Sequence, residues 1–418
     1  MTTDTPLSNI SPNNFEQCVK CTVCTVYCPV TAVNPLYPGP KQAGPDGERY
    51  RLKRGDFYNE ALKYCLNCKR CEVSCPSGVR IGDIIQQARM KYSHGSAGLR
   101  DRMLAHTDLM GGIATRLSPT VNGILRLTPV KMAMDLTLGI DRHRTFPSYT
   151  PRKFTTWFRR HAAAHQERYT RRVTYFHGCY VNYNFPRLGK DFVKLFNACG
   201  IGVDLMPGEK CCGVARIANR LIKQATDAAR TNLREIRTAV SRGNDVVATS
   251  STCILTMRDE YPHLLGLDNA DVRDNIMTAT RYLYRLIESG QVRLVFKENG
   301  FPYHLAYHTP CHMAKLGWGV YSIELLKMIP GAMVTVLDNN CCGIAGTYGF
   351  KKENYKYSQA IGKTLFDSIA RENPDFVVTD CETCKWQIEM STPYRVVNPI
   401  SILADAIDFE ATRQANMQ

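Results

Sequence analysis

The chain has 418 residues, 44% of them apolar, with 53 Lys or Arg against 38 Asp or Glu, a net charge of +15 and 18 cysteines. That length exceeds what one core holds and predicts two to four domains, and the apolar share excludes a disordered chain. No run approaches 18 uninterrupted apolar residues, which excludes a membrane-spanning helix. Residues 1–11 have neither a basic start nor an apolar core, so no signal peptide is expected and the cysteines belong to a reducing cytoplasm.

The first feature along the chain is a cysteine run. Cys18, Cys21, Cys24 and Cys28, followed by Pro29, space as C-x2-C-x2-C-x3-C-P. Cys65, Cys68, Cys71 and Cys75, followed by Pro76, repeat the pattern. Three cysteines in seven residues wrap the chain around one corner of an iron–sulfur cube, and the fourth reaches across to the other cluster. Cys18, Cys21, Cys24 and Cys75 are therefore expected on one 4Fe–4S cluster, and Cys65, Cys68, Cys71 and Cys28 on a second. Zinc takes two separated pairs more often than a tight triplet, and disulfides are the other alternative. Lys69 and Arg70, inside the second run, either offset cluster charge or simply face solvent.

Residues 33–54, rich in Pro and Gly, read as an ordered loop rather than a helix. Asp56 can cap a helix through Ala61 and Leu62 that delivers Cys65, and residues 81–92 read as another helix. Residues 1–95 thus form an all-helical two-cluster ferredoxin.

Residues 96–170 form a basic helical connector. Between residues 100 and 172 there are 14 Lys or Arg against 5 Asp or Glu. Residues 103–117 and 121–140 carry apolar side chains at mixed helical spacing, with Pro119 and Pro129 breaking or kinking them. Arg102, Arg116, Arg126, Lys131, Arg142 and Arg144 flank and interrupt these segments. Two readings fit: an amphipathic segment lying on anionic membrane, or a helical linker packed on the next domain with its charges solvated. Nucleic acid is not expected as a partner, because no DNA- or RNA-binding signature accompanies the charge.

From Val173 the chain repeats itself. Cys179 corresponds to Cys311, Cys211–Cys212 to Cys341–Cys342, and Cys253 to Cys384, at offsets of 132, 130 and 131 residues. Residues 171–300 and 301–418 each read strand, helix, strand, cysteine pair, helix, strand. Strands are expected at 173–176, 245–249, 304–307, 333–337 and 376–379. Helices are expected at 188–199, 218–240, 323–328 and 355–371. The fold class is multidomain α and α/β, ending in two duplicated lobes related by a pseudo-twofold axis, with every cysteine at a strand end or loop.

In the second repeat Cys311, Cys341, Cys342, Cys381 and Cys384 converge in this reading on a third cluster. Five thiolates exceed what one tetrahedral zinc needs. In the first repeat Ser250 replaces the equivalent of Cys381 and leaves Cys179, Cys211, Cys212 and Cys253. That set suits a fourth cluster, a zinc ion or buried structural thiols alike. His308 and His312 bracket Cys311 and are the candidates for ligating metal or passing a proton; His177 has the weaker case, a core histidine at a strand end. No phosphate loop, flavin site or nicotinamide site is present, and Gly346 to Gly349 is too short for a dinucleotide fingerprint.

Two helical-ferredoxin runs followed by two Cys-Cys-Gly repeats resemble the iron–sulfur subunits that carry electrons for flavoprotein dehydrogenases. Their relatives include glycolate oxidase iron–sulfur subunits, lactate-utilisation proteins and the B-subunit of heterodisulfide reductase. Three segments carry the resemblance: residues 18–24, the Pro/Gly-rich 34–48 and 61–72. They are nearest in wording to the C-subunit family of anaerobic glycerol-3-phosphate dehydrogenases. The resemblance spans essentially the whole chain. It implies flavoprotein catalytic subunits as partners, which oxidise sn-glycerol 3-phosphate. It implies electron passage to membrane quinone, menaquinone or ubiquinone, in anaerobic respiration. It also implies peripheral attachment to the cytoplasmic face of the inner membrane. The five-cysteine pattern of Cys311, Cys341, Cys342, Cys381 and Cys384 implies a noncubane 4Fe–4S cluster; Ser250 breaks that pattern in the first repeat. The alternatives are an iron–sulfur subunit of a glycolate or lactate oxidase, a quinone or disulfide reductase in its own right, and a structural anchor.

Overall fold

In the computed structural model, residues 14–54, 57, 59–92, 97–338 and 340–417 are described. Residues 1–11, read as lacking a signal peptide, and Asp56, read as a helix cap, lie outside them.

The two cysteine runs fold alike. Each places two non-glycine residues in the left-handed region, Lys20 (φ 60°) and Thr22 (φ 63°) in the first, Asn67 (φ 54°) and Lys69 (φ 62°) in the second. Such residues are uncommon, and strain of this kind persists only where its surroundings over-determine it. Each run then enters a one-turn helix, Val23–Val26 or Arg70–Val73. The helix Ile81–Tyr92 follows, as its periodicity predicts, burying Ile81, Ile84, Ile85 and Ala88 on one face.

Residues 33–54 are not wholly a loop. A helical stretch, Gln42–Asp46, kinks at Gly44 and continues as Gly47–Arg51. The cause is Arg51, whose buried guanidinium pairs with Glu48 at 2.9 Å and donates to the carbonyls of Ala43 (2.8 Å) and Gly44 (3.2 Å). A proline/glycine count cannot register a buried ion pair.

The connector forms four helices, Leu99–Ala105, Thr107–Arg116, Ser118–Ile124 and Thr128–Leu138. The stretch expected at 103–117 is broken at His106. Pro119 and Pro129 each sit in the first turn of a helix, where a missing N–H costs nothing. Arg144 is not a solvated flank. It is 1% exposed and donates to the Gly349 carbonyl, Gln387 Oε1 and Ser358 Oγ, pinning the connector to the second repeat. Arg100 clamps Glu353 through two bonds of 2.9 and 2.8 Å, and Arg216 clamps Asp108 at 2.8 and 2.7 Å.

Each repeat builds a four-stranded all-parallel sheet. The strands are β1 Arg171–Tyr175, β2 Ile201–Leu205, β3 Asp245–Ala248, β4 Ile276–Thr278, β5 His304–Tyr307, β6 Met333–Val336, β7 Phe376–Val378 and β8 Val396–Val397. The orders are β2-β1-β3-β4 and β6-β5-β7-β8, the same topology twice. Sequence reading expects a strand at the place of β2 without giving it residues, and omits β4 and β8, which are only three and two residues long. Central strands such as Val246–Ala248 and Leu305–Tyr307 are buried on both faces, as parallel sheets covered by helices require. The lobes exchange helices. Pro399–Ala406, after β8, packs on Pro186–Ala198, with Ser401 Oγ donating to Asp191 at 2.7 Å. Ala279–Glu288, after β4, packs on Gly319–Lys327, with Ser322 Oγ donating to Thr280 at 2.9 Å.

Candidate functional site

Around the ferredoxin runs the thiols sort into two neighbourhoods. Burial raises the Cys24 thiol, and Cys18, Cys75 and Cys21 crowd it. Burial pushes Cys28 up to about 12, with Cys68 beside it, and Cys71 faces Cys68, Cys65 and Cys28. Cys28, Cys65, Cys68 and Cys71 line a narrow cavity of about 20 Å³ walled by Pro29, Val30 and Tyr37, with no carboxylate in its lining. Backbone amides point at the sulfurs, Asn67 N–H at Cys65 (3.5 Å) and Val79 N–H at Cys75 (3.4 Å). Thiols that are buried or half-buried, except exposed Cys21, gathered in two groups and met by amides, fit a multi-iron cluster, whose potential such contacts tune.

In the repeats, each candidate cluster cysteine follows the carboxyl end of a strand or the loop after it, flanking the switch point between β1 and β3 or between β5 and β7. Cys199, against the expectation for every cysteine, ends the helix Pro186–Ala198. Several occupy the first turn of the next helix: Cys179, Cys253, Cys311 and Cys384. In the first repeat the contacts run in series, Cys179 to Cys211, Cys211 to Cys212, and Cys212 to Cys253. In the second they run Cys311, Cys341, Cys342, Cys384, Cys381, with Cys342 and Cys384 sulfurs 3.3 Å apart. Cys341 is held well below the usual thiol range by hydrogen bonds from Cys311 and Cys342. Cys384 pulls Cys381 down to about 5.

These groups are not isolated from one another. The Cys311 side chain also contacts Cys68 of the second ferredoxin run. Cys341, Tyr348 and Ile361 of the second repeat share one apolar core with the ferredoxin helices. Toward the first repeat, Thr252 Oγ1 lies 3.6 Å from the Cys381 sulfur, next in sequence to Cys253. Ser250, in the position of Cys381, donates to Glu382 at 3.0 Å and caps the helix carrying Cys253.

The histidines differ. His308 is fully buried, has neither ring nitrogen hydrogen-bonded and faces Cys341; burial holds it down to about 4. His312 contacts Thr252 Oγ1 and the Asn67 carbonyl, each at 3.2 Å, and so braces three parts of the chain together. His177 Nδ1 lies 2.9 Å from the Gly178 carbonyl and 3.1 Å from Glu209, beside the aromatic ring of Phe154. Lys69 is not a solvent-facing charge. It is 2% exposed and bonded to Asp83, with Glu72 at 3.6 Å. Sequence reasoning missed Thr107, whose hydroxyl donates to Cys211 at 3.5 Å, and Thr252. Neither carries a motif, and only the folded chain brings them to sulfur.

Paired cysteine triplets joined to duplicated cysteine-rich lobes define an iron–sulfur protein of electron-transfer type. Residues 14–79 match the 4Fe-4S dicluster domain, and residues 173–258 and 305–389 each match the cysteine-rich domain with the Cys-Cys-Gly pattern. The C-subunit of anaerobic glycerol-3-phosphate dehydrogenase from Escherichia coli K12 is 56% identical over 399 residues, covering 95% of this chain and 100% of the relative. The B-subunit of fumarate reductase (CoM/CoB) from Methanothermobacter marburgensis is 23% identical, covering 95% of this chain and 73% of its own. The glycolate oxidase iron–sulfur subunit of Escherichia coli K12 is 25% identical, covering 95% of each. The chain belongs to the C-subunit family of anaerobic glycerol-3-phosphate dehydrogenases.

Proposed function

We propose that this chain carries electrons from a flavoprotein that oxidises sn-glycerol 3-phosphate to a membrane quinone. The observation that carries the reading is the contact between Cys68 and Cys311, which joins the ferredoxin thiols to those of the second repeat. Cys18, Cys21, Cys24 and Cys75 hold one 4Fe–4S cluster, and Cys65, Cys68, Cys71 and Cys28 the other. Cys311, Cys341, Cys342, Cys381 and Cys384 hold a third, of noncubane type, while Cys179, Cys211, Cys212 and Cys253 form a fourth site. When bound, each cluster supplies a centre that gains and loses single electrons. The protein's part is to bury the thiols, aim amides at them and keep neighbouring sites in contact. Iron and sulfide analysis with paramagnetic resonance after dithionite tests this. About eight irons are expected from the ferredoxin runs, and roughly twelve or more with the repeats loaded. A protein purified without iron and without a paramagnetic signal ends the proposal.

Peripheral attachment to anionic membrane through the connector is the second part of the reading. Among the described residues no helix is long and apolar enough to cross a membrane. Yet the helix Thr128–Leu138, largely apolar, buries no residue, and Leu136 is 82% exposed. Leu109, Ile113 and Leu117 also stand in solvent, interleaved with exposed Arg102, Arg116, Arg126 and Arg142. Each inserted side chain of this size contributes about 1.5–3 kcal/mol, and each cation near an anionic surface about 1 kcal/mol. Flotation with phosphatidylglycerol vesicles is therefore expected, and Ile113→Asp with Leu136→Asp should cut the floated fraction by about tenfold or more. Equal flotation of that variant rules out the connector as the attachment.

A further inference from the structure

A second cavity adjoins the thiol-lined one and shares Cys65, Leu66 and Asn67 with it. It holds about 330 Å³ where the ferredoxin helices meet both repeats. Its lining includes Cys65, Gln86, Arg89, Tyr348 and Lys351. Ligand sites of this size combine apolar walls with a few polar groups, and here three polar atoms are unspent. Gln86 Nε2, the Tyr348 hydroxyl and Asn67 Oδ1 are buried without a hydrogen-bond partner, and all three residues line the cavity. Buried polar groups are normally paired, so three orphans around one cavity need an explanation. Two are donors and one accepts.

The electrostatics point the same way. Arg89 donates to Gln86 Oε1 at 3.1 Å and to the Ala218 carbonyl at 3.3 Å, and feels the Cys65 thiol. With Lys63 and Lys351 it outnumbers the single carboxylate, Glu353. Tyr64, Leu66, Tyr348 and Tyr357 supply flat apolar walls. The far wall is tied to the connector: Lys351 pairs with Asp101 at 3.0 Å, Lys352 pairs with Asp135, and Arg100 clamps Glu353. Asp135 lies on Thr128–Leu138, the apolar helix that buries nothing.

The geometry points to this cavity as the binding site for the ring of a quinone, reached from the connector side and reduced beside Cys65. This rests on the electron-carrier reading above. Gln86 and Tyr348 donate to the oxidised carbonyl oxygens, Asn67 accepts from a hydroxyl of the reduced form, and the cations favour the negative charge that the first electron brings. The quinone takes two electrons, supplied by the flavoprotein's substrate through this chain, and two protons from solvent. Its two C=O groups become C–OH, the ring double bonds shift to make the ring aromatic, and no group leaves.

The probe is 2,3-dimethyl-1,4-naphthoquinone, whose blocked ring cannot alkylate thiols, measured by equilibrium dialysis against the iron-loaded chain. Tyr348→Phe should raise Kd about tenfold, and Tyr348→Phe with Gln86→Leu by more. In Tyr348→Phe iron content, cluster spectra and Tm should stay in place, because the lost hydroxyl had no partner, whereas Gln86→Leu also removes an acceptor of Arg89 and lowers Tm. The KM for this quinone should rise with Kd. Unchanged Kd and KM in the double variant, with wild type still reducing the quinone, overturn the site and leave the carrier reading standing. Iron-loaded wild type that passes no electron to the quinone overturns both.

Discussion

Changing Cys68 to serine is expected to lower electron flow from glycerol 3-phosphate to quinone by about 100-fold or more, since altering even a partner of a metal ligand costs 10–100-fold. Dye-linked oxidation by the flavoprotein partner should continue at its normal rate. Cys68 lines the four-thiol cavity and also contacts Cys311, so it belongs to one site and touches the next. A serine hydroxyl keeps the shape but stays protonated, and only the thiolate binds iron well. Spectra should therefore lose the second ferredoxin signal and keep that of the cluster near Cys18. Cys199 is the internal control. It is buried at the end of Pro186–Ala198, its thiol is pushed up to about 12 by burial alone, and no other thiol acts on it. Cys199→Ala should leave quinone reduction intact. Normal quinone reduction in the Cys68 variant would remove the juxtaposition from the electron path.

How much of this was legible beforehand depended on the range of the interaction. The 132-residue offset between Cys179 and Cys311 is a fact of spacing, and the two sheets repeat one topology accordingly. The helix Ile81–Tyr92 follows from apolar residues three and four apart. Short strands such as Val396–Val397 carry too few residues for a period to show. What brings one site to another was invisible for a different reason. Cys68 and Cys311 are 243 positions apart, and no local propensity encodes their contact. The same holds for His312, whose partners come from the ferredoxin run and the first repeat. Arg144 shows the converse error. A basic residue in a basic stretch reads as solvated, yet its burial depends on acceptors more than 200 positions away.

Lys69→Met is expected to destabilise the folded chain by about 3–5 kcal/mol, because it leaves buried carboxylates without their cation. That is a large part of the roughly 5–15 kcal/mol that holds a domain folded. Burial by itself would strip Lys69 of its charge, but Asp83 and Glu72 outweigh burial and hold it well above its usual range. Glu72 is held below its usual range against burial, by Lys69 first and then by Lys315 at 2.8 Å. It also accepts the Asp83 N–H at 3.1 Å. Lys69 therefore ties the second cysteine loop to the helix Ile81–Tyr92, and Lys315 ties the same carboxylate to the second repeat. Methionine fills the volume and removes the charge, leaving Glu72 to Lys315 and Asp83 to the half-buried Arg80, 3.9 Å away. Guanidinium unfolding followed by circular dichroism should show the midpoint falling steeply. Adding Asp83→Asn should recover a substantial part, since removing both members of a buried pair costs less than removing one. A loss below about 1 kcal/mol for Lys69→Met, or no recovery in the double variant, would show that the ion cluster does not hold the loop. Because Lys69 adjoins Cys68, the cluster signal should weaken along with stability in the single variant. It should return in the double, a coupling that loss of side-chain bulk alone would not produce.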